Sequence, residues 1–322
     1  MDRKTEILVL TNGIFPMTED QQQEVIKTAP KASLTVVRKE EVTREMLEKA
    51  EIIFGWPEQA HLRAAKNLRW LQLPSAGADS YMDRGLFHCS DIRLTNSSGV
   101  FGLPIAEHVF AMILAFNRNL TEYAWQQKDS KWKGIRKTKD FYGSTMGIIG
   151  LGDIGSEVAK RAKAWGAQVL AVKRTLSDKP EYVDRLYTTD ALDEVLKQSD
   201  YVVIALPNTQ KTIGIITEQS LRRMKPDSFL VNIGRGALID QEALVKALKE
   251  GWIGGAGLDV TTPEPLPCDN PLWELPNVII TPHVSGSSPT NDNRRMGIFL
   301  RNLEHYLSGR PLENLVDFNE GY

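Results

Sequence analysis

The sequence predicts an α/β protein of two doubly wound parallel-sheet domains, and three observations predict it. At 322 residues the chain exceeds the usual length of one domain. Short apolar runs alternate with charged, helical stretches from the N-terminus. The same rhythm then restarts at Thr145, and a βαβα order argues for a parallel sheet with helices on both faces.

In the first series, strands are expected at Ile7–Leu10, Leu34–Val37, Ile52–Phe54, Trp70–Leu73 and Ile92–Thr95. Polar segments such as Thr43–Ala50 lie between them, and the Thr43 hydroxyl suits a helix N-cap. From Gly99 to Leu120 a long, mostly apolar helix carrying Ala106, Glu107 and His108 leads towards the next domain. A basic stretch follows, Lys128 to Asp140, with Trp125 and Trp132 around it. In the second series, strands are expected at Thr145–Ile149, Gln168–Val172, Tyr201–Leu206, Phe229–Ile233, Gly257–Val260 and Val278–Thr281. Ile154, Val158, Ala162 and Trp165 fall at helical spacing after the first of these, so that helix buries one face. A last helix, about Asn291 to Leu307, is expected to return to the first domain. The division expected is a discontinuous domain of residues 1–98 and 286–322 around a second domain of 99–285. No repeat of solenoid period occurs.

Composition narrows the function classes. Lys plus Arg (39) nearly balances Asp plus Glu (41), so nothing points to nucleic acid or an acidic membrane as partner. The apolar run Ile7–Leu10 is too short for a signal-peptide core, and no segment approaches the roughly 20 apolar residues that span a bilayer. Two cysteines, Cys89 and Cys268, make neither a disulfide framework nor a CxxC metal pair. The expectation is a reduced, cytoplasmic protein with no metal.

Gly150-Leu151-Gly152-Asp153-Ile154-Gly155 directly follows an apolar strand and opens an amphipathic helix. The first glycine permits a tight turn, the second lets the backbone approach a pyrophosphate, and the third lets helix and strand pack closely. The helix N-terminus then attracts the negative charge. This is the Rossmann fingerprint for a dinucleotide; the alternative is a turn with structural duty alone. The second strand of the series ends in Lys173, Arg174 and Thr175, about where an NAD-binding sheet carries an acidic residue for the ribose hydroxyls. Two cations and a hydroxyl would attract a 2′-phosphate instead. NADP(H) is therefore expected as the preferred cofactor, with NAD(H) also usable if these residues are only a solvated basic turn.

Three further motifs stand at expected strand ends, where a doubly wound sheet places its ligands. They are Asn232-Ile233-Gly234-Arg235-Gly236, Asp259-Val260-Thr261-Thr262-Pro263-Glu264-Pro265-Leu266 and Thr281-Pro282-His283. Reducing a 2-keto acid needs a cation to hold and polarise the substrate, and an acid to protonate its carbonyl oxygen. Histidine suits the second task because its pKa lies near working pH. A carboxylate beside it raises that pKa and fixes the tautomer. Arg235, Glu264 and His283 supply this set. Taken singly, each also reads as a surface turn, an exposed loop carboxylate and a structural histidine.

With these motifs the sequence resembles the D-isomer-specific 2-hydroxyacid dehydrogenases, in their glyoxylate/hydroxypyruvate reductase-like branch. The resemblance runs from the Leu73–Tyr81 region to the C-terminus. It implies a Rossmann dinucleotide-binding domain and a smaller, flavodoxin-like substrate domain. It implies that Arg235 binds the substrate carboxylate and carbonyl, that Glu264 pairs with the catalytic histidine, and that His283 is the acid/base. Asp259 matches an acidic residue near the nicotinamide. Ala76 and Gly77, within Pro74–Asp79, match a loop whose amides hold the substrate carboxylate, a role a backbone nest can perform. Leu206, Pro207 and Thr212 match a loop lining the cofactor, and Asp153, Ile154, Ile233, Arg235 and His283 are expected cofactor contacts. His108 matches a structural histidine on the interdomain helix. Members directed to NADP carry an arginine near the position of Arg174.

Glu264 in place of a glutamine argues against the formate dehydrogenase branch. No regulatory extension follows Tyr322, which puts a serine-pathway role in doubt. The resemblance further implies a D-configured product, a homodimer, and a domain cleft closing over a 2-keto or 2-hydroxy acid. The rival expectation, from another class, is a dinucleotide-sensing interaction protein like the transcriptional corepressors built on this fold.

Overall fold

Twelve strands among the described residues form two separate sheets, and every pairing in them is parallel. This is a computed structural model describing residues 4–175 and 178–321. It divides into two compact units, one of Met1–Val100 with Ser288–Tyr322 and one of Phe101–Ser287.

The first unit holds β1 (Glu6–Thr11), β2 (Ser33–Arg38), β3 (Ile52–Phe54), β4 (Trp70–Gln72) and β5 (Arg93–Thr95). Their order is β2-β1-β3-β4-β5, the flavodoxin-like winding. Strands β3 and β4 are buried throughout because helices cover both faces. Thr43 caps its helix as expected, accepting from the Met46 amide at 3.3 Å. The helix Asn291–Leu307 belongs to this unit and stacks Phe299 on Phe54 and Trp70, with ring centroids 4.3 and 5.4 Å apart. A buried polar chain ties it down. Asn302 Nδ2 donates to Gln72 Oε1, which also accepts from Thr95 Oγ1, and Thr95 Oγ1 in turn accepts from Trp70 Nε1. Every member of that chain is partnered, which is what makes its burial tolerable.

The second unit holds β6 (Thr145–Ile149), β7 (Gln168–Val172), β8 (Arg185–Tyr187), β9 (Tyr201–Ile204), β10 (Phe229–Asn232), β11 (Gly255–Leu258) and β12 (Val278–Ile280). The order β12-β11-β10-β9-β6-β7-β8 is that of a Rossmann sheet with one strand added beyond its sixth. Winding reverses between β6 and β9, and a crevice opens outside the strand C-termini at such a point.

Several details differ from the sequence reading; among them, β9 stops at Ile204 and does not reach Leu206. Strand β8 was not expected, because three residues at a sheet edge, the first an exposed arginine, carry no alternating apolar signal. Strand β11 begins at Gly255, two residues early, because paired glycines read as loop while the ladder tolerates them. The helix expected over Gly99–Leu120 is two, Gly102–Asn117 and Leu120–Lys128, broken where Asn119 takes a left-handed φ of 54°. Trp165 caps the helix Asp153–Ala164 and is half exposed, whereas Val158 and Ala162 are buried. Among the described residues no helix is long and apolar enough to cross a membrane.

Candidate active site

The Gly150–Gly155 turn lies at the winding reversal, and each glycine answers a separate steric demand. Gly150 has φ +105°, and a Cβ there would lie 2.5 Å from the Ala205 carbonyl oxygen at the end of β9. A Cβ on Gly155 would lie 2.0 Å from the Gly150 carbonyl oxygen, so the helix Asp153–Ala164 starts flush against the turn. A Cβ on Gly152 would meet nothing within 4 Å: the backbone there faces open space at a helix N-terminus, the setting an anionic pyrophosphate requires. The Gly150 amide donates to Val172 O at 3.0 Å. That bond brings Lys173, Arg174 and Thr175 beside the turn, with Arg174 and Thr175 exposed. Asp153 and Ile154 form the first helical turn. These residues fit a dinucleotide.

The loops after β9, β10 and β11 pack on one another with almost no side chain between them. A Cβ on Gly234 would lie 2.7 Å from Leu206 O, and one on Gly236 would lie 2.0 Å from Thr261 O. The residues from Leu206 to Thr212 therefore lie against the loop that carries Arg235. Thr212 Oγ1 donates to Pro207 O at 2.7 Å and accepts from the Thr209 amide at 2.8 Å, closing its own loop. Ile233 is buried and continues β10 through its amide to Ile204 O. Asn232 braces the turn on both sides, donating to Arg235 O and accepting from the Gly234 amide. Arg235 itself is half-buried, and its Nη1 donates to Gly234 O at 2.8 Å.

Glu264 and His283 meet across the ends of β11 and β12. His283 Nδ1 lies 2.8 Å from Glu264 Oε2. The carboxylate is acceptor only, so the ring carries its proton on Nδ1. Glu264 Oε1 accepts from the Thr261 amide at 3.1 Å, which fixes the carboxylate before it reaches the ring. Gln241 clasps the neighbouring residue, donating to Thr262 O and accepting from the Thr262 amide. Both Thr262–Pro263 and Glu264–Pro265 are cis. The histidine side chain is half exposed, and its Nε2 is the ring nitrogen left for chemistry.

Asp259 organises the segment that presents this histidine. It is 2% exposed, and three successive amides converge on it. Its carbonyl accepts from His283 N at 2.8 Å. Its carboxylate accepts from Val284 N at 2.9 Å, Ser285 N at 3.1 Å and Thr281 Oγ1 at 2.6 Å. Burial pushes the carboxyl up, but the hydrogen bonds from Ser285, Thr281 and Val284 outweigh it and hold it below the usual carboxylate range. They also hold His283 at φ 54°, a left-handed conformation that costs a side-chain-bearing residue roughly 1–2 kcal/mol.

In the first unit, the loop after β4 turns its carbonyls inward. Pro74 O accepts from Arg295 Nε, Ser75 O from the Ser97 amide, Ala76 O from Asn96 Nδ2 and Gly77 O from Ser75 Oγ. Arg295 is 6% exposed and comes from the far end of the chain. Among the described residues no hydrogen bond engages the Ala76 or Gly77 amide. The result is a nest of donors suited to an anion. Asn232, Gln241, Thr281 and Arg295 were not among the residues expected at the site. Asn232 and Thr281 stand inside the motifs, but nothing in the sequence ties Arg295 to the loop it clamps.

A profile of the family described as "D-isomer specific 2-hydroxyacid dehydrogenase, NAD binding domain" matches residues 110–285. A glyoxylate reductase of Korarchaeum cryptofilum is 39% identical over 237 residues, covering 70% of this chain and 69% of that protein. A D-isomer-specific 2-hydroxyacid dehydrogenase family protein of Aeromonas salmonicida superposes with a TM-score of 0.84 at 33% identity, covering 98% of this chain and all of that one. A probable 2-hydroxyacid dehydrogenase of Rhizobium etli, solved with NADP, HEPES and L(+)-tartaric acid, superposes with a TM-score of 0.79 at 25% identity over 99% of this chain and all of that one.

The glycine turn separates two kinds of damage. Gly155→Ala forces its methyl against Gly150 O and should cost about 1–3 kcal/mol, read as a lower urea midpoint. Gly152→Ala meets no protein atom, so stability should stay within about 0.5 kcal/mol while dinucleotide binding, followed by protein fluorescence, weakens. Unweakened binding by Gly152→Ala would leave the turn a purely structural one.

Proposed function

The chain belongs to the D-isomer-specific 2-hydroxyacid dehydrogenase family, and from that premise we propose that it reduces a small 2-keto acid to the D-2-hydroxy acid, with NADPH as preferred cofactor. The observation that carries the proposal is the 2.8 Å pair of His283 Nδ1 and Glu264, presented on strand-end loops of the sheet that bears the dinucleotide turn. The reduced nicotinamide, when bound, supplies the hydride to C2 of the substrate. Arg235 holds and polarises the keto acid; in the first unit, the Ala76 and Gly77 amides are donors suited to a carboxylate. His283 gives a proton from Nε2 to the carbonyl oxygen. Glu264 keeps Nδ1 protonated and supports the imidazolium before transfer. Glyoxylate is the first substrate to test, from the name of the Korarchaeum relative. Hydroxypyruvate is the second.

Lys173, Arg174 and Thr175 support the NADPH preference, since two cations and a hydroxyl stand in the sequence about where an NAD-binding sheet carries an acidic residue. The NADP in the Rhizobium structure agrees with it. The proposal extends to a homodimer, supported by Trp125 and Trp132, which stand 65% and 103% exposed, an unusual outlay of aromatic surface for a monomer. It extends also to the cytoplasm, in keeping with two free cysteines, Cys89 and Cys268.

The test is oxidation of NADPH and NADH by the purified protein with glyoxylate, hydroxypyruvate, pyruvate and phenylpyruvate. His283→Ala should lower kcat by about 10²–10⁴ with cofactor affinity retained. Glu264→Gln removes the charge that favours the imidazolium, so the pH profile of reduction should move towards acid. An unmoved profile takes Glu264 out of that role. Tight cofactor binding without turnover on any of the four acids would favour the sensor reading. Arg174→Ala should lower kcat/KM for NADPH by about 10- to 100-fold, the worth of a charge-assisted hydrogen bond, and leave NADH almost unaffected. An equal loss with both cofactors would count against the 2′-phosphate assignment. Sedimentation should give twice the mass of one chain, and a single-chain mass would remove the dimer.

A further inference from the structure

The geometry points to His108 as a positioning residue for the acid/base His283, acting through Thr281 and Asp259. This inference rests on the assignment of His283 made above. His108 Nε2 lies 3.0 Å from Thr281 Oγ1 and 4.0 Å from Asp259 Oδ1. The threonine hydroxyl has one proton, and at 2.6 Å that proton is committed to the Asp259 carboxylate. Thr281 Oγ1 can therefore only accept from His108, so Nε2 of His108 carries its hydrogen. The bonds run one way: His108 N–H to Thr281 O, Thr281 O–H to Asp259. Donors aligned in series on a buried acceptor polarise and strengthen one another. The same carboxylate oxygen accepts from the Val284 and Ser285 amides that follow His283. Any shift of the carboxylate is thereby a shift of the turn that aims the His283 ring.

The packing beneath shows that this reach is built in. His108, Met112 and Phe116 recur every four residues on one face of the helix Gly102–Asn117. Gly255, Gly257 and Asp259 recur every two residues on one face at β11. A Cβ on Gly257 would lie 2.7 Å from Met112 Sδ, and one on Gly255 would lie 2.7 Å from Phe116 Cε2. Phe116 thus sits over Gly255, Met112 over Gly257 and His108 beside Asp259. Eight helical residues rise about 12 Å and four strand residues about 13 Å, so the two rows stay in step. Two glycines let the helix lie on the strand, and at the third position of the row, where the helix would otherwise meet a carboxylate, it presents a hydrogen-bond donor. A side chain at Gly257 would lift the helix and break the contact to Thr281.

The test compares His108→Leu, His108→Gln, Thr281→Val, Thr281→Ser and the double variant His108→Leu/Thr281→Val in the intact enzyme, by steady-state kinetics and NADPH titration. Positioning predicts that His108→Leu and Thr281→Val each lower kcat by about 10- to 100-fold, the scale of a misaimed catalytic group, with NADPH affinity within about twofold. His108→Gln, whose amide can still donate to Thr281, and Thr281→Ser should restore most of the loss. The double variant should fall no further than the worse single one, because the two act in one chain. Full turnover by His108→Leu, or losses that multiply in the double variant, would overturn the inference. If His108→Leu does not fold, the Thr281→Val and Thr281→Ser pair decides alone, through loss and rescue of kcat. His283→Ala run beside them separates the two levels. If it keeps turnover, the acid/base assignment itself has failed; if it loses turnover while His108→Leu does not, only the positioning role has.

Discussion

A single buried carboxylate, Asp259, sets the shape of the segment that carries His283. Asp259 leaves β11 at its C-terminal end and enters a turn with almost no water to serve it. Its charge survives there because a hydroxyl and two backbone amides donate to it, while its carbonyl takes a third amide. An uncompensated carboxylate at that depth would cost several kcal/mol or take up a proton. The donors are the residues on either side of His283. The demand to satisfy one charge therefore bends the chain into a left-handed conformation at the histidine, and aims its ring at Glu264.

The strand-end loops meet the same demand for closeness by another route. Backbone packs on backbone at Gly150, Gly155, Gly234 and Gly236, where a methyl would lie 2.0–2.7 Å from a carbonyl oxygen of the neighbouring segment. Parallel strands all end on one side of the sheet, so their loops must share that side. Removing side chains between them brings Arg235, Glu264 and the dinucleotide turn into one compact layer. Gly152 is the exception: among the described residues nothing lies within 4 Å of a Cβ built there, so the backbone at this helix N-terminus is left open.

The loop at Ala76 and Gly77 shows the reverse tactic. Its four carbonyls from Pro74 to Gly77 are bound, and among the described residues its amides at positions 76 and 77 are left over. A turn with every acceptor occupied and donors to spare prefers an anion. One of the clamps, Arg295, is more than two hundred residues distant in sequence and lies in the same unit only because the last helix returns to the first sheet.

The sequence by itself determined the two parallel sheets, the place of the dinucleotide turn and the motifs that hold Arg235, Glu264 and His283, since each is a local pattern: a hydrophobic period, a glycine spacing, a motif after a strand. It could not disclose β8, whose three residues are a strand only because β7 offers them a partner. Nor could it tell that Trp165 would fall at a helix end. It marked His108 as structural, and could not show that the helix runs in step with β11 so as to bring that histidine to Thr281. Tertiary structure decided these matters because each depends on contacts between segments far apart in the chain, and a hydrogen bond to a buried charge exists only once the fold has excluded the water that would replace it.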